Sequence, residues 1–540
     1  MNKNLYFLAV LSGILLALSF PPVPTFFFAF LGLVPLLYSI NNPDIKRPYL
    51  LIYITFFIYH SGANWWIGSW TQDSDPYLTG SSIALAFIHP VYFMIPFAIF
   101  FMIRKKISNN IALLLFPFIW VSFEWFHNLG ELSYPWLTLG NTQIYNHYWV
   151  QFIDITGVWG ASLLIIFTNI LLLKLLLNYK SIGKSEFLKS KNLKIISLGI
   201  FVIIILPIIY GYFRLKDFDE DKLYSERSVV KVGLIQPAIN PWRKWEMSVD
   251  EMIHIQMKIA DSLIFSNYKP DVVIWNETAI PRYIVAKDKY TYSFLNNWCD
   301  SRKTSIFTGF AELRYFNSKN KTATSRKDTT LEDSFYESYN SCLLINPNEV
   351  HSPQVYSKMR LTPMAERLPY SEYLMFMRSW FEWGVGISAW GIGTDQHNLQ
   401  VKTTNDSAML GPIICIESIY PEFVSNTTGN GAEIIVIITN DAWYDNTPGP
   451  EQHFLIAAMR AIENRRFIAR CANTGVSGII SPTGKTMSRL SQYTRSGLSE
   501  PVPRLKEKSI YVLYGDWICK LSSVITILTF IYSLIKSKLF

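Results

Sequence analysis

Three short segments each close an apolar run with a side chain suited to moving an acyl group. WNETAIP carries Glu277, SKMRLTPMAERLP carries Lys358 and Glu366, and GPIICIESIYPE carries Cys415 and Glu417. A thiol with an ordinary pKa of about 8.5 is a poor nucleophile until a neighbouring base or cation favours its thiolate. A carboxylate can take the thiol proton, and an ammonium can hold the oxyanion that forms when sulfur attacks a carbonyl. Taken singly, each segment has a plainer explanation: a solvated Glu in a polar turn, a surface Lys after a strand, a small core Cys among isoleucines. The cysteine inventory bears on the third. Cys299, Cys342, Cys415, Cys471 and Cys519 are an odd set, so at least one lacks a partner within the chain. An unpaired thiol in an oxidising compartment is either buried and inert or kept for its reactivity.

The elements that must position these residues lie between 228 and 484, where short apolar runs alternate with helical stretches in the manner of an α/β domain. VVKVGLIQ, DVVIWN, SIFTGFAEL, CLLIN, GPIICIE, AEIIVIITN and SGIISP read as strands, and 451–469 reads as a helix after NTPGP. The ends of such strands are where α/β domains usually place their sites. Residues 314–338, rich in Lys, Ser, Thr and Asp, read as a solvated insertion without chemistry. The stretch 373–393 mixes Trp, Phe and Met with glycines. It is either a buried loop or a mobile flap whose Trp380, Phe381, Trp383 and Trp390 enter a lipid interface, where aromatic rings are favoured.

Lipid is suggested by the rest of the chain. Half of the 540 residues are hydrophobic, and runs near the 20 residues a bilayer crossing needs fall at 5–21, 24–40, 49–70, 82–103, 110–127, 160–178, 195–213 and 517–535. PPVP at 21–24 follows the first run without a small-residue cleavage site, so that run reads as a helix, not a removable signal. Lys and Arg accumulate on the cytoplasmic side of membranes. Lys46 and Arg47, then Arg104 to Lys106, then the lysines from 180 to 194, fall on one side together with both termini. The long stretch 214–516 therefore falls outside the cytoplasm. The expected layout is helices one to seven in 1–214, a catalytic domain in 215–513 and an eighth helix in 514–540. The formal charge of +8 is at least partly topogenic and implies no nucleic-acid partner.

In this order the three segments resemble the nitrilase (carbon–nitrogen hydrolase) superfamily, whose Glu, Lys and Cys sit at strand ends of an α-β-β-α sandwich. NDAWYDNTPGPEQHF at 440–454, MRAIENRRFIARCANTGVSGIISPTGK at 459–485, LYGDW at 513–517 and PWLTLGNTQ at 135–143 extend the resemblance to the apolipoprotein N-acyltransferase family over almost the whole chain. The resemblance implies Glu277 as general base, Lys358 as oxyanion partner and Cys415 as nucleophile, with Glu366 orienting Lys358 and Glu417 supporting the pocket. It implies an acyl chain passed from a phospholipid, phosphatidylethanolamine by expectation, through a Cys415 thioester to the α-amine of a diacylglyceryl-cysteine on an apolipoprotein. It further implies a monomer in a bacterial inner membrane with the domain in the periplasm, and no metal or cofactor. Trp245, Trp443, Trp380, Trp383 and Ile416 are the expected substrate contacts. Ile416 stands where the family often has Tyr, and Ala365 where Gly often precedes the second glutamate. His453 reads as a structural hydrogen-bonder, and 128–143 as a loop supporting the domain mouth. Two other readings remain: a membrane-tethered amidase in which water resolves the thioester, and a transporter or scaffold whose exported domain only binds.

Overall fold

The apolar runs fold as helices whose interruptions follow the prolines and glycines. In the computed structural model, which describes the chain apart from residues 1–2, 43–44, 70–75, 243–245, 267, 331, 350–352, 375, 377–388, 405 and 539–540, helices run Lys3–Ser19, Pro48–Asn64, Pro76–Tyr92, Met94–Arg104, Asn109–His127, Val158–Lys189, Lys191–Asp217 and Trp517–Lys538. The second run is broken: Phe26–Phe30 is a 3-10 turn and only Val34–Ile40 is α-helical, after the proline-rich 21–24 and with Pro35 in its first turn. The sixth run extends past its expected end at 178 and bends at Gly183, whose φ of 74° few other residues would adopt. Among the described residues, five helices are long and apolar enough to cross a membrane, by length and composition. Helix Lys191–Asp217 buries little beyond Pro207 and Gly211, as a lipid-facing helix would.

Among the described residues, the α/β part contains thirteen strands: β1 (Val229–Gln236), β2 (Val272–Ile274), β3 (Ser305–Phe316), β4 (Arg326–Lys327), β5 (Phe335–Ile345), β6 (Gln354–Ser357), β7 (Leu399–Lys402), β8 (Ser407–Ile414), β9 (Ile434–Thr439), β10 (Ile468–Ala472), β11 (Ser477–Ile480), β12 (Thr486–Leu490) and β13 (Ser496–Pro503). They form two sheets, one ordered β13-β1-β2-β3-β5-β4 with β6 on β5, the other β12-β11-β10-β9-β8-β7. The parallel strands β2, β8, β9 and β10 are buried along their whole length, or nearly so, as strands covered on both faces must be. Helices Val249–Ile264 and Lys289–Arg302 cover the first sheet, and Pro421–Gly429 and Pro448–Asn464 the second. The sheets meet face to face, with the Cys471 thiol 3.1 Å from the carbonyls of both Ile235 and Ile274.

Two expectations need correction. The helix expected over 451–469 ends at Asn464, because Arg465 takes a left-handed cap (φ 49°) and the following residues enter β10. Ile468 and Ala469 at the end of that run belong to a buried strand, which an apolar pattern cannot separate from a buried helix. Residues 314–338 are not simply a solvated insertion: β3 and β5 continue into them as a hairpin, and Glu337 is buried, receiving hydrogen bonds from the Thr324 and Tyr339 hydroxyls.

The junction between helices and sandwich is built on that same Arg465. Its guanidinium donates to Asp154 Oδ2 at 2.8 Å, Gln151 Oε1 at 2.7 Å and the Gln151 carbonyl at 2.8 Å. Asp154 also receives Tyr210 at 2.8 Å and Arg214 at 3.0 Å. Glu463 accepts the Val158 amide at 2.7 Å, and Asp516 accepts Trp159 at 2.7 Å and Trp125 at 3.0 Å. Paired, hydrogen-bonded buried charge of this kind fixes one docking geometry.

Candidate active site

Strand ends deliver the three reactive groups to one cavity. β2 runs into Glu277, β6 into Lys358 and β8 into Cys415, and all three line a cavity of ≈ 160 Å³ with Asn340, Glu366, Asn440, Trp242, Trp390, Trp443, Tyr444 and Leu78. Thr278, Met364 and Cys415 have φ of 47°, 66° and 52°, so each of the three site loops turns through a left-handed residue other than glycine. Strain of about 1–3 kcal/mol per such residue persists only where surrounding structure over-determines it. One determinant is the close approach of Gly309, where a Cβ would lie 2.5 Å from the Thr278 nitrogen.

Lys358 is nearly inaccessible, and its Nζ donates to Glu277 Oε1 and to both Glu366 oxygens, each at 2.9 Å. Asn340 Nδ2 bridges the same two carboxylates at 2.8 and 3.0 Å, while the Asn440 amide donates to Glu277 Oε2 at 3.0 Å. Burial works against the ammonium, yet Glu277 and Glu366 prevail and hold the Lys358 pKa well above its usual value. Burial likewise raises Glu366, but Lys358 and the Thr362 amide outweigh it and keep that carboxyl low. One ammonium between two carboxylates leaves the cluster at net −1. A second anion there is costly, and burial followed by the charge of Glu277 pushes the Cys415 thiol far up. A thiol proton passed to Glu277 would keep the total charge constant and leave the thiolate beside Lys358.

The remaining expected residues are distributed as follows. Glu417 lies beneath the cavity and accepts Tyr356 OH at 2.8 Å, the Met359 amide at 2.7 Å and the Ile414 amide at 2.8 Å, so it ties the Lys358 loop to the Cys415 turn. Burial draws its pKa up to about 7 in spite of those donors. Trp443 is on the cavity wall, edge-on to Trp242 with ring centroids 5.0 Å apart. Ile416 is not among the lining residues; it is 8% exposed and packs into the core beside Cys415. Trp245, Trp380, Phe381 and Trp383 lie outside the described residues. From the 373–393 stretch, Trp390 reaches the cavity, and the Gly393 amide donates to the Lys358 carbonyl at 2.8 Å. Gly393 has to be glycine: a Cβ would meet the Ser357 carbonyl oxygen at 2.1 Å.

Trp242 was not among the expected contacts, whereas His453 is the hydrogen-bonder its sequence setting suggested. Trp242 belongs to the NPWRKW segment that drew attention to Trp245. His453 sits under Cys415, with Nε2 3.2 Å from the Cys415 carbonyl and Nδ1 2.8 Å from Asp441. Among the described residues, Cys415, Asp441 and His453 are the one group whose ligand atoms lie within metal-binding reach of each other, all within 4.8 Å. Asp441 is already paired with Arg470 at 2.6 Å, so its donor capacity is spent within the protein. The 128–143 loop does support the site: Trp136 Nε1 donates to Gln452 at 2.8 Å, its ring lies 5.4 Å from that of His453, and Glu131 accepts the Tyr370 amide at 2.8 Å.

Residues 12–171 match the family described as Apolipoprotein N-acyltransferase N-terminal domain, and residues 231–501 match the Carbon-nitrogen hydrolase family. Fold and site thus define a carbon–nitrogen hydrolase domain mounted on apolar helices. The apolipoprotein N-acyltransferase of Chlorobaculum tepidum is 31% identical over 95% of this chain and 93% of its own length, and that of Geobacter metallireducens is 27% identical over 95% and 93%. The chain belongs to the apolipoprotein N-acyltransferase family. Among solved structures, the carbon-nitrogen hydrolase from Helicobacter pylori G27 aligns at 12% identity with a TM-score of 0.37, over 54% of this chain and 93% of that one.

Proposed function

We propose that this protein is an apolipoprotein N-acyltransferase working by two thioester half-reactions on Cys415. In the first, Glu277 accepts the thiol proton as sulfur attacks the sn-1 ester carbonyl of a phospholipid, and the tetrahedral oxyanion forms beside Lys358. The ester C–O bond breaks, Glu277 returns the proton to the departing oxygen, and lysophospholipid leaves an acyl group on sulfur. In the second, the α-amine of a diacylglyceryl-cysteine attacks the thioester. Its proton passes to Glu277 and then to sulfur as the C–S bond breaks, yielding an amide and the free thiol. Glu366 holds Lys358, and Glu417 holds the two site loops together.

The observation that carries this reading is the single cavity in which Cys415, Glu277 and Lys358 meet a wall from the helical part, where Leu78 lies. An amine outcompetes water at a thioester only where water is excluded, and the aromatic wall of Trp242, Trp390, Trp443 and Tyr444 serves that purpose. The accompanying layout is eight spans in a bacterial inner membrane, both termini in the cytoplasm, the sandwich in the periplasm, and a monomer using phosphatidylethanolamine as donor. Incubation of the purified protein with acyl-labelled phospholipid and a diacylglyceryl peptide tests the reading. Labelled N-acyl peptide supports it; free labelled fatty acid without peptide product assigns a hydrolase instead.

A further inference from the structure

Beneath Cys415 lies a second polar chain that the scheme above leaves unused. Thr439, the last residue of β9, places its hydroxyl 3.4 Å from Cys415 Sγ and 2.8 Å from Asp441 Oδ1. Asp441 Oδ1 also meets His453 Nδ1 at 2.8 Å, and Oδ2 accepts Arg470 at 2.6 Å. His453 Nε2 lies 2.8 Å from Ser418 Oγ, and Ser418 Oγ lies 2.8 Å from the Cys415 carbonyl oxygen. The chain starts at the sulfur and ends on the carbonyl of the same residue.

A serine, a histidine and a carboxylate at hydrogen-bond spacing have the layout of a serine nucleophile with its base and orienting acid. Ser418 cannot act as one here, because it is fully buried and absent from the cavity lining. Apart from Cys415 itself, every member of the chain is at most 3% exposed. A sealed chain can hold and orient, and the residue it grips is the one whose backbone is strained, with φ of 52°.

The hydrogens can be assigned. Burial alone would raise Asp441, but Arg470 and then His453 overcome it and keep the carboxyl well below its usual range. An anionic Asp441 requires the hydrogen of the His453 contact to sit on Nδ1. Thr439 has one hydrogen and two neighbours to receive it. Beside a neutral thiol it rests on Asp441; beside a thiolate it turns to sulfur, while Asp441 keeps both His453 and Arg470.

We propose that Thr439 is a further catalytic residue, donating a hydrogen bond to Cys415 sulfur as negative charge builds there, and that Asp441, His453 and Ser418 are positioning residues for Thr439 and for the nucleophile's backbone. The inference rests on Cys415 being the nucleophile. No proton leaves the chain: the thiol proton goes to Glu277, and Thr439 exchanges one acceptor for another.

The test is the pH profile of Cys415 alkylation by iodoacetamide in the full-length protein in detergent, read by peptide mass spectrometry. The other four cysteines are buried, so adducts report on Cys415. Thr439→Val is expected to slow alkylation roughly ten-fold at neutral pH and move the profile to higher pH, the effect of one lost hydrogen bond to a charged acceptor. Thr439→Ser is expected to restore both. If Thr439→Val does not fold, Thr439→Ala reads the same quantity. His453→Gln is expected to lower kcat of acyl transfer several-fold with KM unchanged. A Thr439 variant whose profile overlays the wild type, or a His453→Gln that melts earlier but turns over normally, overturns the inference. Alkylation needs no phospholipid, so the failures separate: a shifted profile without any acyl adduct sinks the acyl-transfer reading, whereas an adduct with an unshifted profile sinks the role of Thr439.

Discussion

Two buried ionic clusters lie at opposite ends of this molecule's logic: the one around Lys358 and the one around Arg465. Both are nearly sealed from water, and both join segments far apart in sequence. At the junction, Asp154 faces two guanidiniums and a tyrosine hydroxyl, and Arg465 spends its other donors on Gln151 and the Pro482 carbonyl. None of these residues is among the described residues that line the cavity around Cys415. In the cavity, one ammonium serves two carboxylates and a thiol shares the wall, so a proton passed from sulfur to carboxylate would leave the total charge unchanged. A network whose donors and acceptors are spent on each other supports architecture; one with an excess carboxylate facing open space supports chemistry.

Substitutions sharpen that contrast in descending order of effect. Cys415→Ala is expected to remove acyl transfer to background while leaving the thermal unfolding midpoint near that of the wild type; retained turnover would move the nucleophile elsewhere. Glu277→Gln keeps the size of the base and removes its basicity, and is expected to lower kcat by about 10²–10⁴. Lys358→Met removes the charge facing the oxyanion and is expected to cost about 10²–10³ in kcat. Because Glu277 and Glu366 then repel one another unpaired, some stability should go with it, and kcat per folded molecule is the quantity to compare. Arg465→Met leaves a buried Asp154 with only Arg214 as its cation, and is expected to destabilise the protein by about 3–5 kcal/mol with kcat of the folded fraction unchanged. A large kcat loss at constant stability would erase the distinction between the clusters. Arg489→Ala is the control, since its pairing with Glu451 is 42% exposed on the arginine side, and it is expected to change stability by no more than about 1 kcal/mol.

What could be read from residue order and what could not divides along the same line. Glu277, Lys358 and Cys415 were legible as candidates because each follows a strand, and strand ends are where α/β domains usually place their sites. Most of the helices were legible because a bilayer crossing needs a long apolar run, but the break in the second run was not, since its apolar pattern continues through the 3-10 turn. His453 was legible as a hydrogen-bonder but its partners were not: Asp441 and Ser418 stand 12 and 35 residues away, and only the folded turn after β9 brings them under the sulfur. A signal was present in the helix Pro448–Asn464, which carries Gln452, His453, Arg460, Glu463 and Asn464, all buried. So many polar groups in a buried helix must have partners, but the sequence does not say which. Arg465 and Asp154 are 311 residues apart and belong to different structural regions, so no local pattern could pair them. The strand β10 was hidden for another reason, since an apolar run continuing from a helix carries no mark of the left-handed turn at Arg465.

Intact-protein and peptide mass spectrometry after exposure to phospholipid tests the central claim most directly, because the thioester is the intermediate through which both half-reactions pass. The account predicts one fatty-acyl adduct, located on Cys415, cleaved by hydroxylamine and discharged by a diacylglyceryl peptide. An adduct on any other residue, or turnover to N-acyl product with Cys415 never acylated, would contradict it.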